Sequence, residues 1–356
     1  MLIGAGGALL AAGASAVGWR AAAGSMADYE AYAAGLRAGL IPPDLQSVVR
    51  YATLAANSHN TQPWRFRLEG RTIEILPDFR RRTPAVDPDD HHLFISLGCA
   101  AANLALAAAA IGRPGEVSIA SDRAGVRYDF LAGEPKADLL ASAIPRRQST
   151  RAEYDGRAVP TAHLVELERA ATTPGVSLAL VTDRPRMQKI RDLVLAGNTD
   201  QMSDPAFMRE LKQWLRFNPR SAMANGDGLF SAASGNPVMP TELGQLAFDR
   251  LFDVRAENEK YARHIDSSAG VAIFFGERAD RDHWIRVGQA CQRFALAATA
   301  LGLKVAFVNQ PVEVARLRPH LAAVVGETRR PDLAMRFGYG PTLPYSPRRP
   351  PAAVIA

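Results

Sequence analysis

A repeat between the two halves of the chain constrains its fold more than any other feature. When the sequence is shifted by 190 positions, two alanine-rich segments, 93–111 and 283–301, fall into register. Apart from alanines, the shift aligns Asp90, Ile95, Gly98, Leu106 and Gly112 with Asp280, Ile285, Gly288, Leu296 and Gly302. Because small residues let helix backbones approach closely, the repeat predicts a duplicated chain whose two long helices pack together. The alternative is a chance likeness of two alanine-rich helices.

Helix and strand patterns alternate along the chain and predict an α+β fold. Helices are expected at 26–40, 45–55, 93–111, 161–171, 187–195, 207–217, 243–252, 257–264 and 283–301, and strands at 64–68, 72–76, 116–120, 127–131, 176–181, 269–275, 304–308 and 333–337. Residues 218–240 are rich in Gly, Asn, Ser and Pro and are too long for an ordinary connection, which predicts a functional loop or lid. The chain is predicted to have an apolar leader at 1–25, one half at 40–145 and a second half at 146–350 that carries the lid. The core is expected to contain a pair of mixed sheets, with parallel and antiparallel strands.

Composition excludes some classes of protein. The chain has 356 residues, of which 47% are apolar and 22% charged, which is typical of a packed globular protein. The net charge is +6, but the arginine pairs and triplets are dispersed and form no basic run, so no nucleic-acid partner is expected. A surplus of arginine also fits the binding of a phosphorylated cofactor.

Cysteine and histidine usage predicts no metal site. Cys99 and Cys291 lie in alanine-rich helical patterns without CxxC spacing, which favours buried small apolar residues over a disulfide. His91 and His92 follow two aspartates, but a polar helix start explains this run better than metal ligands do.

The N-terminus leaves the cellular location open. Residues 2–18 carry no charge and are similar to the apolar part of an export signal, although the usual basic run is missing. Either the true start lies upstream and the segment ends a twin-arginine-type signal, or it is an unstructured leader. The protein is accordingly expected to be cytoplasmic or exported.

The segment 55–66, AANSHNTQPWRF, combines more specific structural signals than any other short stretch of the chain. Small and polar residues stand where a helix should end, and the amides of Asn60 and Gln62 follow at a spacing of two. An amide offers both donors and an acceptor, which suits the edge of a flat heteroaromatic ring. Pro63 then forces an extended exit, which places Trp64 along a strand.

A second segment offers a cradle for an anion. Arg147, Ser149 and Arg151 alternate, so in an extended backbone their side chains share one face. Two guanidiniums and a hydroxyl suit a phosphate dianion, each charge-assisted bond contributing roughly 1.5–3 kcal/mol.

These two segments resemble the NTQPW and R-x-S-x-R/K motifs of the nitroreductase family of FMN flavoproteins. The duplication, the Asp227-Gly228-Leu229 loop and the tail GYGPTLPYSPRRP are similar to the Acg-like branch of that family. The resemblance covers about residues 40–350. It implies an α+β nitroreductase-like fold with a lid, in which one chain mimics the family's homodimer, so that a monomer acts as a pseudo-dimer.

The resemblance also implies one FMN per chain, held between the halves, because the reciprocal pair of motifs is degraded. The expected cofactor-binding residues are Asn57, Ser58, Asn60, Gln62, Arg147, Ser149, Arg151, Asn309, Arg348 and Arg349. The family usually has proline at the position of Ala56. No catalytic side chain is expected, because the flavin carries the chemistry.

Three hypotheses about function follow. The first is a ping-pong oxidoreductase in which NAD(P)H reduces FMN and a nitro or quinone-like small molecule then takes the electrons. The second is an FMN-sequestering or storage protein whose lid stays closed over the flavin and allows little turnover. The third, outside flavin chemistry, is a basic interaction module.

Overall fold

A computed structural model describes residues 18–42, 44–119 and 125–356, so most of the predicted leader lies outside the described residues. The first half contains helices α1 (Met26–Leu36), α2 (Leu45–Thr53), α3 (His91–Ala110) and α4 (Leu139–Ala143) and strands β1 (Trp64–Glu69), β2 (Thr72–Pro77), β3 (Gly115–Ile119) and β4 (Val126–Phe130).

The second half contains more helices. They are α5 (Thr161–Ala171), α6 (Arg184–Ser203), α7 (Pro205–Trp214), α8 (Pro219–Asn225), α9 (Thr241–Leu251), α10 (Val254–Asp266), α11 (Arg281–Ala300), α12 (Gln310–Glu313) and α13 (Arg318–Val324). Its strands are β5 (Val176–Val181), the short β6 (Leu215–Arg216) and β7 (Leu229–Phe230), β8 (Gly270–Gly276), β9 (Lys304–Phe307) and β10 (Leu333–Gly338).

The two halves share one topology. The strand order is β1-β2-β4-β3 in the first sheet and β5-β8-β10-β9 in the second. In each half a helix precedes the first strand, and a long helix connects the second strand to the third. This match confirms the duplicated α+β fold. The expectation of mixed sheets was wrong, because every ladder in both four-stranded sheets is antiparallel. In the first half the long helix leads to the edge strand β3, and a hairpin returns the chain to β4 in the middle of the sheet. In the second half the long helix leads to the edge strand β9, and helices α12 and α13 lie between β9 and β10.

The long helices α3 and α11 cross at the centre of the molecule and pack through paired glycines. A Cβ atom on Gly98 would lie 1.9 Å from the carbonyl oxygen of Ile285, and one on Gly288 would lie 2.0 Å from that of Ile95. These reciprocal contacts relate the two helices by the same 190-residue shift that the sequence shows. Only glycine fits at either point, since a methyl group would overlap the facing backbone.

Local sequence explains where the helices of the first half begin. The Asp44 carboxylate accepts the backbone N–H groups of Gln46 and Ser47 at 2.9 Å, as expected for an N-cap. Helix α3 starts two residues before the predicted position, because the Asp87 carboxylate accepts the N–H groups of His92 and Leu93. Although α3 is apolar and long enough to cross a membrane, 83% of its apolar stretch is buried, as in the core helix of a packed domain.

An insertion between β5 and β8 distinguishes the second half. In the first half a tight turn joins β1 to β2, whereas helices α6 to α10 separate β5 from β8. The predicted lid, 218–240, lies inside this insertion and contains α8 and β7. The insertion thereby places a whole helical layer, larger than the expected loop, beside the junction of the two halves.

Candidate functional site

Two connected cavities lie where the halves meet. The main cavity comprises about 990 Å³ of space, part of which is open to solvent, and is bounded by the motif after α2, by α3 and by the helical insertion. The smaller one, here called the guanidinium pocket, is lined by Arg37, Ala56, Asn57, Asn60, Arg147, Gln148, Ser149, Arg151, Leu229, Tyr345, Ser346 and Arg348. Ala56, Asn57, Arg151 and Leu229 line both cavities and form their shared wall.

The 147–151 segment reaches this pocket as an extended edge beside β9. The N–H of Thr150 donates to the carbonyl oxygen of Val305 at 2.8 Å, and Ser149 forms a parallel bridge with the same residue. Arg147, Ser149 and Arg151 all line the pocket, as their alternate spacing predicts. The structure thus brings Ser149 of one half to the same pocket as Asn60 of the other.

Four guanidiniums converge on this pocket. Burial lowers the pKa of Arg147, Arg151 and Arg348, and it lowers that of Arg37 to about 10. Neighbouring arginines lower the pKa values of Arg37, Arg147 and Arg348 further, and within the described ranges no carboxylate forms an ion pair with any of the four. The Nε and Nη1 atoms of Arg147 are buried without a hydrogen-bond partner among the described residues. Uncompensated buried positive charge of this kind suits a doubly charged anion.

The Asn60–Gln62 motif shapes the pocket through an unusual backbone. His59, Asn60 and Gln62 all have positive φ, at 44°, 53° and 53°. Residues other than glycine adopt this region at a cost, which the surrounding hydrogen bonds must offset. Backbone strain in three closely spaced residues beside two cavities is a feature of functional sites.

The amides of this motif bind protein groups. The Nδ2 of Asn60 donates to the carbonyl oxygens of Gly228 and Pro347 at 3.0 Å, and its Oδ1 accepts from Arg348 Nη1 at 2.6 Å. Gln62 Nε2 donates to the Gly226 oxygen at 2.8 Å, and its Oε1 accepts the Arg349 N–H at 2.9 Å. Asn60 therefore holds an arginine in place beside the pocket.

Gln62 and Arg349 line neither cavity. This placement corrects the expectation that they stand on the cofactor wall. The Arg349 guanidinium instead donates to the carbonyl oxygens of Gln62 and Ala353. Both residues support the wall from behind, because the buried amide of Gln62 joins the motif to the backbone of the insertion and of the C-terminal tail.

The remaining predicted residues lie on the main cavity. Asn57, Ser58 and Asn309 line it, with Asn57 also facing the guanidinium pocket. Asn57 Oδ1 accepts the N–H of Gln62 at 2.8 Å, and Asn309 Oδ1 accepts that of Ala334 at 2.9 Å. Apolar side chains cover much of the wall, namely Ile95, Met202, Phe207, Leu211, Leu229, Phe252, Phe307 and Leu333. The cavity therefore suits a flat, largely apolar ring system joined to an anionic group.

Several lining residues were missed by the sequence analysis. Arg37 and Tyr345 come from opposite ends of the chain, and the Arg37 guanidinium stacks on the Tyr345 ring with its Cζ 3.9 Å from the centroid. Gln201 and Glu313 come from helices of the second half whose inward faces carry no motif. Only the tertiary structure brings these four residues to the cavities, and no local spacing in the sequence signals their position.

Asp87, His91 and His92 form a buried group of ligand-type side chains, with one oxygen or nitrogen atom of each within 4.8 Å of the others. Two of them have other partners, since Asp87 caps α3 and His91 Nε2 lies 2.9 Å from Asp332 Oδ1. We assign Asp87 and His91 a structural role at the start of the helix, whereas the ring nitrogens of His92 have no hydrogen-bond partner among the described residues.

The fold and site define a duplicated α+β protein with an anion-binding pocket that opens into a larger, partly apolar cavity. No protein-family model matches the sequence. Two curated relatives from Mycobacterium tuberculosis match most of its length. "Putative NAD(P)H nitroreductase Rv3131" is 29% identical over 333 residues, covering 88% of this chain and 92% of the relative. "Putative NAD(P)H nitroreductase acg" is 24% identical over 327 residues, covering 86% and 93%. This full-length likeness confirms the resemblance: the chain is a relative of these nitroreductase-like proteins, and the Acg-like branch fits it.

Solved structures give a weaker likeness. A nitroreductase with bound FMN from Bacteroides fragilis is 15% identical, with a TM-score of 0.37, and covers 58% of this chain and 90% of its own. The FMN-dependent nitroreductase NfnB from Mycobacterium smegmatis, in complex with NADPH, is 16% identical with the same TM-score of 0.37 and covers 56% and 89%. At these TM-scores the overlap supports no conclusion about the site.

Proposed function

We propose that the protein is an FMN-dependent NAD(P)H oxidoreductase of nitroreductase type that reduces a nitro or quinone-like small molecule by two electrons. The observation that carries the proposal is the guanidinium pocket, in which buried arginines without carboxylate partners in the described ranges adjoin a cavity of ring size. Two relatives that match most of this chain carry the name "Putative NAD(P)H nitroreductase", which points the same way.

In this proposal the pocket binds the FMN phosphate. Arg147 and Arg151 donate to the phosphate oxygens, together with the Ser149 hydroxyl, and the unpaired Arg147 nitrogens are the donors that the described protein atoms leave free. Asn60 keeps Arg348 directed at the same place through its 2.6 Å hydrogen bond. A phosphate dianion would offset the mutual repulsion of these guanidiniums.

The ring system then lies in the main cavity. The FMN ring supplies hydride chemistry when bound, and the protein positions it. Asn57 stands at the junction of the two cavities, Ser58 lines the main cavity, and Asn309 faces the main cavity from the other half. Apolar side chains exclude water from the ring face. The cycle is ping-pong, so that the nicotinamide and the acceptor use the same space in turn.

A second candidate is FMN storage with little turnover, and the fixed position of the insertion favours it. The Gly228 N–H donates to the Asn60 oxygen at 3.1 Å, and Asp227 forms ion pairs with Arg81 and with Arg216, the latter at 2.6 Å. Leu229 between these anchors lines both cavities. A cover held in this way would keep a nicotinamide from the ring.

Reduction of the purified protein separates the candidates. Under the oxidoreductase proposal, the protein is yellow, releases FMN on denaturation, and loses its flavin absorbance within seconds of anaerobic rapid mixing with NADH or NADPH. Bleaching by dithionite with no bleaching by either nicotinamide would favour storage. A colourless protein that takes up no added FMN would contradict both candidates. The remaining hypothesis would then be a basic interaction module.

A further inference from the structure

A polar recess interrupts the apolar wall of the main cavity. It is formed by His59, His92, Gln201 and Glu313, which all line the main cavity, and none of them lines the guanidinium pocket. The four residues come from the strained motif, from α3, from α6 and from α12. The recess is therefore separate from the proposed phosphate site.

The recess contains polar atoms that lack protein partners. Both ring nitrogens of His92 and the Nδ1 of His59 are buried without a hydrogen bond to any described residue. Buried polar groups in folded proteins are nearly always paired. Unpaired atoms on the wall of a cavity therefore indicate that a polar group of a ligand is received there.

The Glu313 carboxyl group lies at the centre of the recess. Its Oε2 accepts from Gln201 Nε2 at 2.6 Å, and its Oε1 lies 3.7 Å from His92 Nδ1. No lysine or arginine of the described residues forms an ion pair with it. A carboxyl group held in this way has one oxygen free to face a ligand.

The surroundings of Glu313 keep the recess largely uncharged below a pH of about 7. Burial raises the pKa of Glu313 to about 7, the Gln201 hydrogen bond lowers it, and the nearby charges of Asp87, Arg318 and Glu210 partly cancel. Burial also lowers the pKa of His59 to about 4 and that of His92 well below its usual value. Three other titratable groups on this cavity are Arg151, Tyr261 and Glu257. The charge of Arg151 lowers the pKa of His59 further, and in the proposed function this guanidinium binds the phosphate. Burial raises the pKa of Tyr261 to about 12, and Glu257 lies 3.8 Å from Lys260.

We propose that this recess binds an oxygen atom of an uncharged nitroaromatic or quinone acceptor, with the protonated Glu313 carboxyl group as the hydrogen-bond donor. The inference rests on the proposed oxidoreductase function and names its substrate class. Anionic acceptors bind poorly, because the recess offers no cation and its one acidic group becomes negative as the pH rises. His59 and His92, both neutral, accept or donate the remaining hydrogen bonds.

Binding to the oxidised protein tests this without turnover. The probe is 4-nitrobenzamide, titrated by calorimetry into FMN-loaded protein at about pH 6 and about pH 8, on either side of the Glu313 titration. We expect the Kd of the wild type to rise by about tenfold between these values, because the donor is lost and a buried charge appears. Glu313→Gln keeps a donor at both values, so its Kd should be independent of pH and close to that of the wild type at low pH.

A second carboxylate on the same cavity provides the matched control. Glu257→Gln should keep the pH response of the wild type. The anionic analogue 4-nitrobenzoate should bind at least about tenfold more weakly than the amide to the wild type at about pH 8. Absence of amide binding, equal binding of the two probes, or a pH response that persists in Glu313→Gln would each overturn the inference.

The FMN content of every sample is measured alongside the titration. A protein that holds no FMN refutes the proposed function itself. An FMN-loaded wild type whose amide binding does not change with pH refutes only the role of Glu313.

Discussion

At the scale of single residues, Asn60 lies beside the pocket, but its side chain contacts other protein groups. Its spacing marked it as a ligand for a ring edge, yet its amide holds Arg348 and the backbone of Gly228 and Pro347. The sequence located the residue beside the pocket but not its partners, which lie at least 168 positions away. Arg147 and Arg151 were easier to predict, because alternate spacing in an extended segment alone directs them to one side.

The arginine pair carries the first prediction at this scale. In the double variant Arg147→Ala/Arg151→Ala, the protein should fold but lose its colour. Two charge-assisted contacts of roughly 1.5–3 kcal/mol each are removed, which weakens FMN binding by about 10²–10⁴-fold. The fold should survive, because removing two buried like charges relieves repulsion. The ratio of flavin absorbance to protein, with circular dichroism for folding, measures the effect.

Arg146→Ala is the matched control, because this neighbouring arginine is exposed and lines neither cavity. It should keep full FMN content. Stoichiometric FMN in the double variant would show that the phosphate lies elsewhere.

At the scale of secondary-structure elements, local signals predicted most of the molecule. The Asp44 cap, the β1–β2 hairpin and helix α5 all form where the pattern placed them. Helices α12 and α13 were missed, because they are short, begin next to prolines and are stabilised by packing against α6. The residues of the predicted lid form α8 and β7. Helix α8 begins where the Asn218 side chain accepts a hydrogen bond from the Ser221 N–H.

The crossing of α3 and α11 gives a prediction about stability. Gly98→Ala should destabilise the protein by about 2–4 kcal/mol or prevent folding, because its Cβ would lie 1.9 Å from the Ile285 oxygen. Urea unfolding followed by circular dichroism measures the change. A variant as stable as the wild type would contradict the close packing of the two helices.

Gly35→Ala serves as its control. Gly35 is also in a helix, but nothing lies within 4 Å of the Cβ that alanine would add. This substitution should be neutral or stabilising by up to about 1 kcal/mol, because alanine favours the helix.

At the scale of the whole molecule, the two halves share a topology but not a site. A third cavity contains Val117 and Gln289, which the 190-residue shift relates to Phe307 and Cys99 of the main cavity. At these two positions it corresponds to the main cavity across the duplication, and it is hereafter called the counterpart cavity. The sequence revealed the repeat and the loss of the second motif pair, but it did not reveal the helical cover. That cover depends on contacts between segments far apart in the chain, which local patterns do not encode.

The asymmetry predicts the stoichiometry of the cofactor. We expect one FMN per chain, because the counterpart cavity has no cluster of arginines among its lining residues and includes the carboxylate of Asp138. Titration of FMN into protein stripped of cofactor, followed by calorimetry, measures the number of sites. Two sites of similar affinity per chain would contradict the assignment of the phosphate to the guanidinium pocket.

The linkage of both halves in one polypeptide has a consequence for the cofactor site. Asn57 and Ser149, which come from opposite sides of the junction, remain tethered however dilute the protein becomes. Where two separate subunits share a pocket, lowering their concentration takes the pocket apart. Because residues of one chain line both sides of this pocket, we predict that its affinity for an anion does not depend on protein concentration.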